Sequence, residues 1–375
     1  MITDHLFIIF CGHGPNALGV IRSLHEACIK PIMIIDRDGP HNYADKSKYV
    51  GAKYYADTSL DALELLIDRF GQEAHKPFVY TTDDFHAQLL DENYERLDGH
   101  FFFFNCGAQG KLTEYLNKEK QCQIAEECGF CVPNREVVTK GDLPTTLHYP
   151  IITKTITSNE GGWKRDVYVC DNEKELKEAY DRIEANSLIL EEYVNRIVEQ
   201  AYQGIAYNKG NKAVVPLISL DKSFGKSSFG DFVYYHSSPN ELMVEKLFRF
   251  LKQIQYEGIF EIETMVDNEG KEFFLEINLR DSAKNYAVTY GGFNMPYQWA
   301  YATLHGECET FQIAGGFWAM KEFDDFYSRV LSKRIGLFKW LTDVRKTKVF
   351  FWHYRNDNAP VRDFYVQKIK RLFHK

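Results

Sequence analysis

No apolar run in this chain approaches the roughly 18 residues that a membrane-spanning helix needs, so a spanning protein is not expected. No charged-then-apolar leader is expected either, because LFIIF near the start is too short and reads as a strand of the fold. The eight cysteines are scattered without the spacing of a disulfide framework, which suits a reducing cytoplasm. Cys128 and Cys131 form a single CxxC, with no second pair to complete a metal or redox centre. Walker-type phosphate loops, internal repeats and low-complexity linkers are missing. A continuous basic groove is missing too, and nucleic acid is therefore not an expected partner.

At 375 residues the chain has material for two or three cores rather than one compact unit. Aromatic residues are plentiful, with 28 Phe and 23 Tyr. The net charge of −8 conceals an asymmetry. Ser328 to Lys375 carries 13 Lys and Arg against three acids, a net +10, and the remainder has 32 basic and 50 acidic residues, a net −18. A basic tail interleaved with Phe338, Trp340, Phe350, Phe351 and Trp352 predicts docking onto an anionic partner. The expected partner is an anionic membrane surface or a lipid-linked or polymeric acidic substrate, contacted through VQKIKRLFHK. That places the protein in the cytoplasm, peripheral at the inner membrane face.

Residues 6 to 36, LFIIFCGHGPNALGVIRSLHEACIKPIMIID, predict a strand, a Gly-containing turn, an amphipathic helix and a second strand. Gly12-His13-Gly14 is a weak dinucleotide fingerprint, with Asp36 near the ribose-binding position and Gly19 arriving late. Such a turn at a helix N-terminus holds any anion, a carboxylate included. The strand PFVYTT leads to Asp83-Asp84, placed either to contact a substrate amine or hydroxyl or to cap the next helix. FFFFN completes the sheet, and TEYLNKEKQCQIAEECG predicts a helix ending at Gly129. In the strand YPIITKT the one charge is Lys154, whose ammonium needs an anionic partner such as a nucleotide phosphate. Lys154→Met is accordingly expected to weaken nucleotide binding and to leave the free protein at least as stable. SNEGGWK (158 to 164) predicts a Gly-rich lid over phosphates. Lys222 and Lys226, within LDKSFGKSSFGD, are further phosphate or substrate candidates. Pro239 to Gln255 predicts an amphipathic helix capped by Ser238.

The chain is organised around EGIFEIETMVDNEGKEFFLEINLRD, residues 257 to 281. Two alternating apolar runs around DNEGK predict an antiparallel hairpin. Glu263 lies on its first strand, with Glu276 and Asn278 on one face of its second. Two carboxylates side by side on a buried face repel each other and lose hydration, so they need a cation between them. Oxygen-only ligands of this kind suit Mg²⁺, with Mn²⁺ as the alternative. Arg280 follows on the same face as a fixed positive charge. A surface hairpin with solvated glutamates leaves unexplained why Glu276 is embedded in FFLEINL.

FFLEINLR with the upstream Glu263 resembles the metal-binding end of the ATP-grasp superfamily, although Leu279 stands where the family pattern usually has Pro. The likeness is to its carboxylate–amine ligases, of the kind of D-aspartate ligases and the ATP-grasp unit of carbamoyl-phosphate synthases. It implies that Glu263, Glu276 and Asn278 hold Mg²⁺ against ATP and that Arg280 and Lys154 assist chemistry. It also implies phosphate contact by Lys118 and Lys154, adenine contact along Glu191, Glu192 and Val194, and ribose contact by Glu199. Asp281, Ser282 and Lys284 would lie beside the acyl acceptor. The implied fold is a multidomain combination of α/β and α+β parts. A parallel-sheet pre-ATP-grasp domain over 1 to 110 precedes a two-subdomain ATP-grasp fold over 111 to 312, with a lid at about 147 to 194. A basic aromatic extension occupies 313 to 375. The implied activity is ATP-dependent ligation of a small-molecule or cell-envelope carboxylate to an amine, forming ADP. Two alternatives are a nucleotide-binding regulator without turnover and an NAD-dependent oxidoreductase. The identities of acid and amine, and the assembly state, a homodimer included, stay open.

Overall fold

The computed structural model describes residues 1–157, 161–221 and 231–373. The first layer is a five-stranded parallel sheet, order β3-β2-β1-β4-β5. Its strands are β1 (Phe7–Phe10), β2 (Ile32–Asp36), β3 (Ala52–Ala56), β4 (Phe78–Tyr80) and β5 (Phe102–Phe103). Helices α1 (Gly14–Glu26), α2 (Ser59–Phe70), α3 (Asp84–Glu92) and α4 (Tyr94–Leu97) connect them. Strand β1 is apolar throughout because both of its faces are covered. Phe7 and Ile9 join one core while Ile8 and Phe10 join another.

Two helices follow, α5 (Lys111–Tyr115) and α6 (Lys118–Glu127), where the periodicity predicts one. The break has a local cause: the Asn117 side chain accepts from Lys120 N and caps a new helix. A small antiparallel sheet, order β6-β9-β7-β8, contains β6 (Arg135–Thr139), β7 (Ile151–Thr155), β8 (Val169–Cys170) and β9 (Ser187–Glu192). With α7 (Glu173–Tyr180) it closes its own core around Ile151, Leu176, Leu188 and Leu190. Strand β8 is only two residues long. The Asp166 carboxylate accepts from the backbone N–H of Gly162, Glu184 and Ala185, which holds residues 163–166 in a 3₁₀ turn.

The largest sheet has seven strands, order β14-β13-β10-β11-β12-β15-β16. They are β10 (Arg196–Tyr207), β11 (Lys212–Asp221), β12 (Phe232–His236), β13 (Gly258–Asp267), β14 (Glu272–Asn278), β15 (Phe317–Met320) and β16 (Thr347–Phe350). Helix α8 (Glu241–Gln253) starts two residues later than expected, because Asn240 rather than Ser238 is its cap. Helices α9 (Asn285–Tyr290) and α10 (Met295–His305) pack this sheet against the first. Trp299 of α10 meets the rings of Phe78, Tyr80 and Phe104 edge-on.

Residues 313–373 continue the large sheet through β15 and β16, with α11 (Glu322–Asp325), a π-helical turn (Phe326–Leu331) and α12 (Leu337–Lys346) between these strands and α13 (Ala359–Phe373) after them. This segment clasps the N-terminal layer. Buried Arg22 donates to the carbonyls of Phe351 (2.8 Å) and Trp352 (2.7 Å), and Ser47 Oγ donates to Asp357 (2.7 Å). VFFWHY leaves strand geometry after Phe350, where Trp352 N and His353 N turn to donate to Glu322. No helix among the described residues is long and apolar enough to cross a membrane.

Candidate active site

Hairpin β13–β14 forms as its alternation predicts, with Gly270 in the connecting turn at φ +81°, where a side chain would be strained. Glu263 pairs directly with Glu276 and Glu261 with Asn278, so three carboxylates and one amide share a face. The register shifts after Glu263. Thr264 meets Phe274, which leaves Leu275 as an extra residue and lets it line the same cavity as Glu276.

That cavity, of about 370 Å³, lies between the small sheet and the large one. Lys118, Lys154, Glu191, Val194, Glu199, Glu263, Glu276, Asn278 and Arg280 all line it. Its apolar part is made by Ile152, Val167, Ile189, Val194, Met265 and Leu275, a slot with the chemistry of a planar base. Its polar part is dense in charge. Lys118 Nζ lies 2.8 Å from Glu276, and Lys154 Nζ lies 2.6 Å from Glu191. Arg280 bridges Asp84 and Asn278, at 2.9 Å each. Arg196 is paired with Glu199.

The electrostatics of the face fit a divalent cation. Burial raises the Glu263 carboxyl well above its ordinary range, and the charges of Glu261 and Glu276 raise it further against the pull of Lys284. Burial also opposes ionisation of Glu276, but Lys118, Lys154 and Arg280 hold it down to about 2. A cation at this face would relieve the repulsion among Glu261, Glu263 and Glu276 and favour their ionised forms. Glu263, Glu276 and Asn278 offer only oxygen donors, as Mg²⁺ prefers.

Two side chains of this face, Glu261 and Asp221, escaped sequence reasoning, whereas Ser282 and Lys284 were expected beside the acyl acceptor. Glu261 is enclosed by Gln203 (2.7 Å) and Ser282 (3.0 Å). Lys284 reaches Asp221 at 3.2 Å and both Glu261 and Glu263 at 3.9 Å. Period-two spacing from Glu263 was the available signal for Glu261. Asp221 comes from the end of β11, so only the fold brings it here.

Other expected residues lie elsewhere. The Glu192 side chain turns away from the cavity and accepts from Asn134 (2.8 Å) and His148 N (3.1 Å). Successive residues of a strand face opposite sides, so Glu191 and Glu192 cannot both point in. Asp281 is buried and accepts from Asn285. Lys222, Lys226 and residues 158–160 of the Gly-rich loop lie outside the described residues.

A second cavity, of about 540 Å³, opens at the carboxyl ends of the parallel strands and shares Asn16 and Arg280 with the first. His13, Gly14, Asp36, Asp38, Asp83 and Asp84 line it. Asp83 caps α3 by accepting from His86 N (2.9 Å) and also meets His86 Nδ1 at 2.8 Å. Asp36 accepts from Ser59 (3.0 Å) and lies 3.4 Å from His86 Nε2, engaged within the protein rather than open to a ribose.

No family model matches the chain. Among curated proteins it is similar to the D-aspartate ligase of Enterococcus faecium, 22% identical with 78% of this chain and 76% of that protein covered. It is also similar to the 2-oxoglutarate carboxylase small subunit of Hydrogenobacter thermophilus, 23% identical over 73% of this chain and 61% of that relative. Among solved structures it resembles the N5-carboxyaminoimidazole synthetase of Staphylococcus aureus complexed with ADP. The TM-score is 0.67 at 15% identity, covering 88% of this chain and 85% of that one. In its fold, the chain is similar to this synthetase.

Proposed function

We propose that this protein is an ATP-dependent carboxylate–amine ligase, dividing near residues 110 and 312 with a lid at about 147–194. The observation that supports it most is the single cavity in which an apolar slot adjoins Glu263, Glu276, Asn278, Lys118, Lys154 and Arg280. Adenine would occupy the slot beside Val194, and Glu199 would face the ribose hydroxyls, as carboxylates accept paired O–H donors. Mg²⁺, held by Glu263, Glu276 and Asn278, would supply charge neutralisation for the triphosphate. Lys118 and Lys154 leave their carboxylate partners for phosphate oxygens, which offer them the same charge-assisted bonds.

In the first step a substrate carboxylate oxygen bonds to the γ-phosphorus and the bond to the β-phosphate bridging oxygen breaks, releasing ADP. In the second the amine nitrogen attacks the acyl carbon, phosphate departs and the amine loses a proton. Little covalent work falls to the protein. Lys154 and Arg280 spread the negative charge of the transferring phosphoryl group and of the tetrahedral oxyanion. The acidic cavity next to Arg280, with Asp36, Asp38, Asp83 and Asp84, suits the amine partner, because carboxylates accept from an ammonium. A cytoplasmic setting, peripheral at the inner membrane face, belongs with acid or amine substrates of the cell envelope. The test is ADP release across a panel of acids and amines. Release that requires one acid and one amine together supports the reading; release with neither, or with none of the panel, counts against it.

A further inference from the structure

The C-terminal segment carries a surface that ligase chemistry does not use. Helix α12 is apolar over a wide arc. Trp340 and Val344 turn inward, with Trp340 Nε1 donating to Asp325 at 2.8 Å and its ring 5.0 Å from that of Phe326. Leu337, Phe338 and Leu341 turn outward, and Phe338 is 86% exposed. Tyr327 (72% exposed) and Leu331 extend this patch from the preceding turn. An apolar cavity of about 550 Å³ opens beside it, lined by Phe323, Phe326, Tyr327, Leu331, Trp340 and Tyr365 among others.

The unpaired charge around the patch has one sign, because Glu322, which lines the cavity, is engaged by His353 and Asp324 is paired with Lys321. Lys333, Arg334, Arg345, Lys346 and Lys348 are exposed and have no ion-pair partner among the described residues. Asp343 is the one acid between Phe326 and Arg355. It is buried and engaged by Arg329 (2.9 Å) and Lys339 (2.8 Å), so it neutralises none of the five.

We propose that this face, rather than the terminal VQKIKRLFHK segment, seats the protein on an anionic lipid bilayer. Exposed apolar side chains ringed by unpaired cations match the boundary between acyl chains and acidic headgroups. A second copy of the chain is a poorer occupant. An isologous contact through this face would set the same five cations against each other. The inference deepens the peripheral placement proposed above and does not depend on the ligase chemistry.

The test is cosedimentation of the full chain with phosphatidylcholine vesicles, with and without phosphatidylglycerol, at low and physiological salt. Phe338→Asp/Leu341→Asp and Lys333→Gln/Arg334→Gln/Arg345→Gln probe the two components, with thermal midpoint as the check on folding. Binding should require phosphatidylglycerol, fall as salt rises and weaken at least about tenfold in each variant. No binding to phosphatidylglycerol vesicles at low salt would overturn the proposal. So would undiminished binding by both variants, or a dimer in solution that Phe338→Asp/Leu341→Asp dissolves. ATP turnover is assayed on the same samples, so loss of the ligase reading would leave the binding result standing.

Discussion

Replacing Lys154 by methionine separates what its side chain does for the nucleotide from what it does for the fold. From the sequence alone the substitution is expected to leave the free protein as stable or more so. The structure reverses that expectation. Lys154 Nζ sits 2.6 Å from Glu191, with the two side chains only 13% and 5% exposed. Removing one partner of such a buried pair costs about 3–5 kcal/mol, because it strands the other charge. Contact with the cavity softens the penalty, so about 3 kcal/mol is expected, a fall of several degrees in Tm. Lys154→Met/Glu191→Leu removes both charges and should recover most of the loss. Thermal unfolding of wild type, single and double variants, with and without Mg-ATP, measures both roles. Wild type should gain about 2.7 kcal/mol at a nucleotide concentration one hundred times Kd, and both variants clearly less. A single variant that melts with the wild type, or a double variant no better than the single, would refute the reasoning.

Other perturbations follow from the same geometry. Glu276→Gln keeps the shape of the hairpin but removes the charge opposite Glu263 and the partner of Lys118; ADP formation should fall more than about tenfold, with a lowered Tm in the free protein. Burial works against a charged His86, yet Asp36 and Asp83 carry its pKa from 6.5 up to about 12. Its stabilisation is therefore full below about pH 6.5 and fades as pH rises toward 12, so wild-type stability should decline from pH 7 to 10. Urea unfolding across that range should show a flatter profile for His86→Asn. Arg22→Met strands the buried carbonyls of Phe351 and Trp352 and should cost about 2–4 kcal/mol, read by denaturant unfolding.

The hairpin was legible because two acids interrupt an otherwise apolar alternation, a pattern that only a charge-binding face explains. Lys154 was legible for the same reason. Its partner was not, since Glu191 lies 37 residues away and meets it only through the β7–β9 ladder. Glu192 shows where spacing alone would have sufficed, because neighbouring strand residues cannot both face the cavity. Leu275 depends on a bulge, and the meeting of Asp221 with Lys284 on strand order; neither leaves a local signature. The same holds for the tail, whose basic composition was plain but whose pairing with β12 through β15 is long-range.

Acyl phosphorylation is the central claim, and oxygen transfer tests it most directly. The acid that supports turnover is supplied with ¹⁸O in its carboxylate, and the inorganic phosphate formed is analysed by mass spectrometry. If the carboxylate attacks the γ-phosphate, one labelled oxygen leaves with each phosphate and ADP is the nucleotide product. Unlabelled phosphate, or AMP with pyrophosphate, would contradict the account.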